Sequence, residues 1–105
     1  MWSAISRLLS EQLGNAEIHQ RTELPGGDVH PAWHIRYGEY DVFVKCNNRE
    51  MLPLFTWEAD QLALLARSQT VRVPEVYGVG SGRDYSFLLL EYLPIKPLDA
   101  HSAYQ

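Results

Sequence analysis

The chain has one cysteine, Cys46, among 105 residues. No internal disulfide can brace the fold, and a reducing compartment is expected. Long apolar runs are missing too. The longest, Phe87-Leu88-Leu89-Leu90, is far too short to span a bilayer. Residues 1–7 carry neither the basic segment nor the apolar stretch of a secretory signal. Basic charge is scarce: 13 acids outweigh 9 bases, for a net charge of −4, which argues against a nucleic-acid partner. A cytoplasmic protein with no membrane attachment is the expectation. Metal ligands do not cluster either. His30 and His34 stand four apart, but Pro31 and the surrounding strand pattern deny them a shared helical face, and no metal site is expected.

What is present is a globular mix, 46% hydrophobic and 21% charged. Disorder, collagen and coiled coil are thereby disfavoured. The length admits one domain at a prior of about 150 residues each. Trp2, Ile5, Leu8, Leu9 and Leu13 recur at helical spacing and Gly14 follows, so a helix is predicted over 2–13. Ile18 to Leu24 alternates as a half-exposed strand, broken by Pro25-Gly26-Gly27-Asp28. Strands are predicted over 32–37 and 41–45, joined by Gly38-Glu39 as a hairpin. A second helix is predicted over 55–66, with Thr56 as its cap and Glu58 and Asp60 at the positive end of its dipole. Strands near 76–79 and 85–92 follow, with 80–84 as the turn between them. The last strand is apolar on both faces, which suits an interior place in the sheet. Pro94 and Pro97 stiffen a connector, and Asp99 can cap a further helix. The fold class is α+β: a five-stranded antiparallel sheet, an N-terminal helix, and a helix inserted between strands three and four.

Four features carry chemistry. Lys45 ends an apolar strand and shares a face with Asp41 and Phe43 by alternation. Glu58 falls on the helical stripe Phe55, Glu58, Leu62, Leu65, where an unpaired carboxylate would be costly to desolvate. Each has a plainer reading, as an exposed strand end and as an edge-of-stripe acid. Together they explain each other, because a helix packed on the sheet brings the two charges into reach. At about 4 Å, opposite charges attract by roughly 4 kcal/mol at an effective dielectric of 20. The net gain in stability is small, so ligand orientation accounts for such a pair better than stability does. Gly26 and Gly27, between two strands, let backbone N–H groups approach an anion, although Asp28 opposes a phosphate and an ordinary turn reads equally well. Leu90-Glu91-Tyr92-Leu93-Pro94 ends an apolar strand and offers backbone groups beside an apolar surface to a flat heteroaromatic ring.

In order, these features resemble the small nucleotide-binding lobe of the protein-kinase-like fold. More narrowly, "ELPGGDVHPAWHI", "DVFVKCNNREMLPLFTWEADQLALL", "VPEVYGVG" and "YSFLLLEYLPIKPLDAHSA" resemble the fructosamine kinase (ketosamine-3-kinase) family over essentially the whole chain. The resemblance implies that Lys45 contacts ATP phosphates, that Glu58 orients it, and that Gly26 and Gly27 sit in the phosphate loop. It implies that Glu91, Tyr92, Leu93 and Pro94 form the adenine hinge. It also implies transfer of the ATP γ-phosphoryl group to a sugar hydroxyl of a ketosamine, with Mg²⁺ as cofactor and repair of glycation as the outcome. Residues 1–93 then form the ATP-binding lobe, and 94–105 the linker and the start of a C-terminal lobe.

The departure is the family's His-Gly-Asp motif, which holds the catalytic aspartate and is absent here: His19, His30, His34 and His101 precede Gln, Pro, Ile and Ser. No catalytic residue is assigned within the chain. A fragment of a longer enzyme or a truncated gene product is expected, inactive alone, with a partly apolar face left for the other lobe. A non-catalytic remnant that binds a protein partner, and the small lobe of a choline- or aminoglycoside-type kinase, stay open as alternatives. Some members of the family carry a redox-sensitive cysteine in the phosphate loop. Cys46 lies elsewhere, on the face opposite Lys45 by alternation, and is expected to be a small apolar core residue.

Overall fold

Spacing of apolar side chains decides each element. Trp2–Leu13 forms α1, which buries Ile5 and Leu9 completely and stops at Gly14, whose φ of 93° suits glycine alone. This computed structural model describes residues 1–24, 32–68 and 73–93. Within them, β1 (Ile18–Leu24), β2 (Ala32–Tyr37), β3 (Tyr40–Asn47), β4 (Val76–Ser81) and β5 (Ser86–Glu91) make one sheet. All neighbours are antiparallel, in the order β1-β2-β3-β5-β4. The second helix, α2 (Leu52–Ser68), follows a 3-10 turn at Arg49–Met51 and lies in sequence between β3 and β4.

Strand alternation sorts the core into two layers. Ile35, Tyr37, Val42, Val44, Phe87 and Leu89 turn to one face and pack with Ile5 and Leu9 of α1. Leu88 and Leu90 turn to the other, against Phe55 and Ala59 of α2, with Phe43, Leu62, Val76 and Val79 beside them. One helix therefore covers each face of the sheet. β5 has Ser86 to Leu90 buried without interruption, as its apolar run predicts for a strand flanked on both edges. The exposed edge strand β1 carries His19, Arg21 and Glu23, charge and polarity that discourage pairing with another chain.

Two contacts fix α1 on the sheet. Gly78 of β4 lies directly under Leu8, and a Cβ there would overlap the leucine side chain. Tyr37, wholly buried, donates its hydroxyl to the Gly14 carbonyl at 2.7 Å and accepts the Ala16 N–H at 3.1 Å. The β2–β3 turn opens on Gly38 at φ 58°, the left-handed geometry that two-residue hairpins need.

Some boundaries differ from the sequence expectation. α2 begins at Leu52, not at residue 55, because Pro53 is tolerated in a first turn where its missing N–H is not needed. Thr56 is accordingly not the cap. Its hydroxyl donates to the Leu52 carbonyl inside the helix at 3.0 Å. Glu58 and Asp60 lie beyond the first turn, which holds no acid. The expected stripe fails at its end, since Leu65 is exposed. Exposed too are Leu54, Trp57 and Leu64, so α2 is apolar on its outer side as well. β3 runs to Asn47, β4 takes in Gly80 and Ser81, and β5 loses Tyr85 and Tyr92. Gly80 belongs in the strand because the Phe87 ring of its cross-strand partner lies where a Cβ would stand. Gly26, Gly27, Pro94 and the helix expected from Asp99 lie outside the described residues. Among the described residues no helix is long and apolar enough to cross a membrane.

The Tyr37 hydroxyl supplies two bonds that water replaces only in part. Tyr37→Phe is expected to lower unfolding free energy by about 1 kcal/mol in urea titrations with an unchanged m-value. An unaltered midpoint would mean that these bonds hold nothing.

Candidate functional site

The end of β3 and the second turn of α2 meet on the α2 face of the sheet. Lys45 shares that face with Phe43, and Glu58 projects from between Phe55 and Ala59, the two buried anchors of α2. Seating those anchors on Leu88 and Leu90 carries the carboxylate to the lysine. The Lys45 ammonium donates to both Glu58 oxygens, at 3.0 Å and 3.2 Å. The side chains keep 37% and 32% of their surface in solvent. The pair is thus shielded enough to hold its geometry and open enough to receive a ligand. Half-exposed ion pairs add little to stability, commonly about 0–1 kcal/mol.

Two residues from Lys45 along the strand, about 6–7 Å away at extended rise, Phe43 lines a cleft of about 570 Å³. Leu24, Pro74 and Leu90 add apolar walls, and 91–93 supplies the edge. Such a size and a mainly apolar lining suit a small flat ligand. The edge segment is tied on both sides. The Glu91 N–H donates to the Glu75 carbonyl at 2.7 Å, and the Tyr92 N–H donates to the Asp41 carbonyl at 3.1 Å. The Glu91 carboxylate accepts the Glu75 N–H at 3.2 Å.

Of the residues singled out from sequence, Lys45 and Glu58 are in direct contact, and Glu91, Tyr92 and Leu93 border one cleft. Leu90, singled out with them, adds a wall, whereas Leu24, Phe43 and Pro74 were missed as lining residues. Phe43 was accessible to sequence reasoning, since alternation from Lys45 puts it on the same face. Leu24 and Pro74 come together with it only through sheet order and the approach to β4.

The matching family model is described as Fructosamine kinase and spans residues 1–105. "Probable ketoamine kinase YniA" of Escherichia coli is 68% identical over 104 residues, covering 99% of this chain and 36% of its own length. "Probable ketoamine kinase" of Klebsiella aerogenes is 65% identical over 105 residues, covering 99% of this chain and 37% of its own. A crystal structure of a protein assigned as a fructosamine-3-kinase, from Haemophilus somnus, superposes with a TM-score of 0.85 at 43% identity. It covers 91% of this chain and 33% of the crystallised one. The chain therefore spans about a third of the length of the relatives it matches.

Cys46, next to Lys45, packs on the α1 side of the sheet, its thiol 3.5 Å from the Met1 sulfur. Burial pushes the thiol up from 9.0 to about 11, and the nearby N-terminal charge offsets only part of that. Because the folded value lies above the unfolded one, the contribution to stability is complete below pH 9 and is lost as pH rises toward 11. At pH 8 a disulfide reagent is expected to modify Cys46 at least about tenfold more slowly than an unstructured cysteine peptide. Equal rates would contradict the packing described.

Proposed function

The chain belongs to the fructosamine kinase family, and on that premise we propose that it forms the ATP-binding half of a ketosamine kinase. The reaction moves the γ-phosphoryl group of ATP to a sugar hydroxyl of a ketosamine, which leads to removal of the sugar adduct. The observation that carries this reading is the Lys45–Glu58 contact set beside the cleft edged by 91–93.

The residues divide the nucleotide between them. Phe43, Leu24 and Leu90 offer the base an apolar slot. The Tyr92 N–H is spent on Asp41, away from the slot. Backbone groups alternate along an extended segment, so the Glu91 carbonyl and the Leu93 N–H turn to the opposite side, where an adenine edge needs one acceptor and one donor. Lys45 then meets the α/β-phosphates, and Glu58 holds its ammonium at a fixed point. Gly26 and Gly27 are assigned to the loop over the phosphates, and Pro94 to the far end of the hinge. Mg²⁺, when bound with the triphosphate, neutralises its charge. Among the described residues no three carboxylate, histidine or cysteine side chains converge, so no ligand set for it is found here. Its ligands are expected outside this chain, as is the aspartate that takes the acceptor proton, since no His-Gly-Asp is present. A cytoplasmic location is part of the proposal and rests on the lone cysteine.

In the intact protein that carries this chain, Lys45→Ala is expected to lower kcat/KM for ATP by about 100- to 1,000-fold, typical for loss of one charge-stabilising donor. The urea midpoint should barely move, because the pair is half-exposed. Unchanged kinetics would remove Lys45 from the reaction. Residues 1–105 alone are expected to transfer no phosphate from ATP to a fructosyl-amine, because positioning of both reactants supplies most of the rate. Turnover by these residues alone would refute that division of labour.

A further inference from the structure

The 91–93 segment leaves the sheet just beyond β5, yet its middle residue is gripped by a side-chain assembly that no nucleotide-binding role has absorbed. His34 of β2 stacks face to face on Tyr92, ring centroids 3.8 Å apart and planes 4° from parallel. The same imidazole approaches the Asp41 carboxylate with Nε2 at 2.9 Å from Oδ1. Facing a carboxylate oxygen, Nε2 carries the hydrogen, which fixes the tautomer and the ring plane. Asp41 in turn accepts the Tyr92 N–H on its main-chain carbonyl at 3.1 Å. Three residues from three places in the chain thus close a ring of contacts. Arg36 stands 3.6 Å from the same Asp41 oxygen and sets a positive charge beside it. In register, His34 sits opposite Phe43, which lines the cleft.

We propose that His34 is a positioning residue for nucleotide binding. By clamping the Tyr92 ring and bracing Asp41, it fixes where the 91–93 backbone presents its groups to the base. The inference rests on the hinge reading given above. The stability argument points the same way. The His34 and Asp41 side chains are 29% and 41% exposed, so their attraction adds little to global folding. What the clamp does is remove rotational freedom from Tyr92, and with it drift of the peptide groups on either side. A stacked aromatic pair is worth about a three- to tenfold change in an equilibrium.

The test is ATP affinity of the intact protein, measured by titration calorimetry, with inorganic tripolyphosphate as a probe that cannot touch the hinge. His34→Ala is expected to raise the Kd for ATP about three- to tenfold while leaving that for tripolyphosphate unchanged. Tyr92→Ala should cost the same, and the double variant no more than either single one, since both remove one contact. His34→Phe, which keeps a stacking face, should recover most of the affinity and guards against a misfolded alanine variant. Wild-type affinity in His34→Ala, losses that add in the double variant, or an equal loss for tripolyphosphate would each overturn the proposal. If wild type binds ATP and Lys45→Ala weakens it while His34→Ala does not, only the clamp falls. If wild type binds no ATP, the hinge reading falls with it.

Discussion

The structure turns on one ammonium held between a strand and a helix. Lys45 is fixed in direction by the alternation of β3, and Glu58 by the seating of Phe55 and Ala59 on β5. Neither charge finds its position alone. The apolar layer beneath α2 sets the distance, and the ion pair reports that distance as 3.0 Å. Because the pair is partly in water, it contributes little to folding and stays open to a ligand. The other layer, under α1, holds the sheet without touching the site. Cys46 lies in that layer, so two adjacent residues of β3 serve opposite faces.

This separation explains what the sequence made legible. Periods of 3.6 and 2 place α1 and β2 to the residue, because each has one plainly apolar side and a clear stop. The Lys45–Glu58 contact was legible because each residue is out of place in its own element, a cation closing an apolar strand and an acid on an apolar helical stripe. The start of α2 was obscured by Pro53, which suggests a loop while being at home in a first helical turn. The far end of the α2 stripe was misjudged for another reason. Leu65 looks like a core residue by type and spacing, and only the placement of the sheet shows that it faces out.

The cleft and its edge were half legible. Glu91, Tyr92 and Leu93 stand out as the exit of an apolar strand. His34 and Asp41 do not, since nothing local links a histidine in β2 to a tyrosine 58 positions later. That contact exists because β3 pairs with β2 on one side and β5 on the other, which brings the β2 face next to the chain leaving β5. Contacts of this kind depend on strand order, which alternation alone does not encode.

The central claim is that Lys45 meets the phosphates of ATP, and the chain suits a direct measurement because it holds just two lysines, Lys45 and Lys96. An acyl-phosphate derivative of ATP carries its electrophile at the phosphate end and acylates an amine held there. Peptide mapping after exposure of the intact protein should find the acyl group on Lys45, suppressed by excess ATP, with Lys96 unprotected. Labelling of Lys45 that is absent, or that ATP leaves unchanged, would contradict the account.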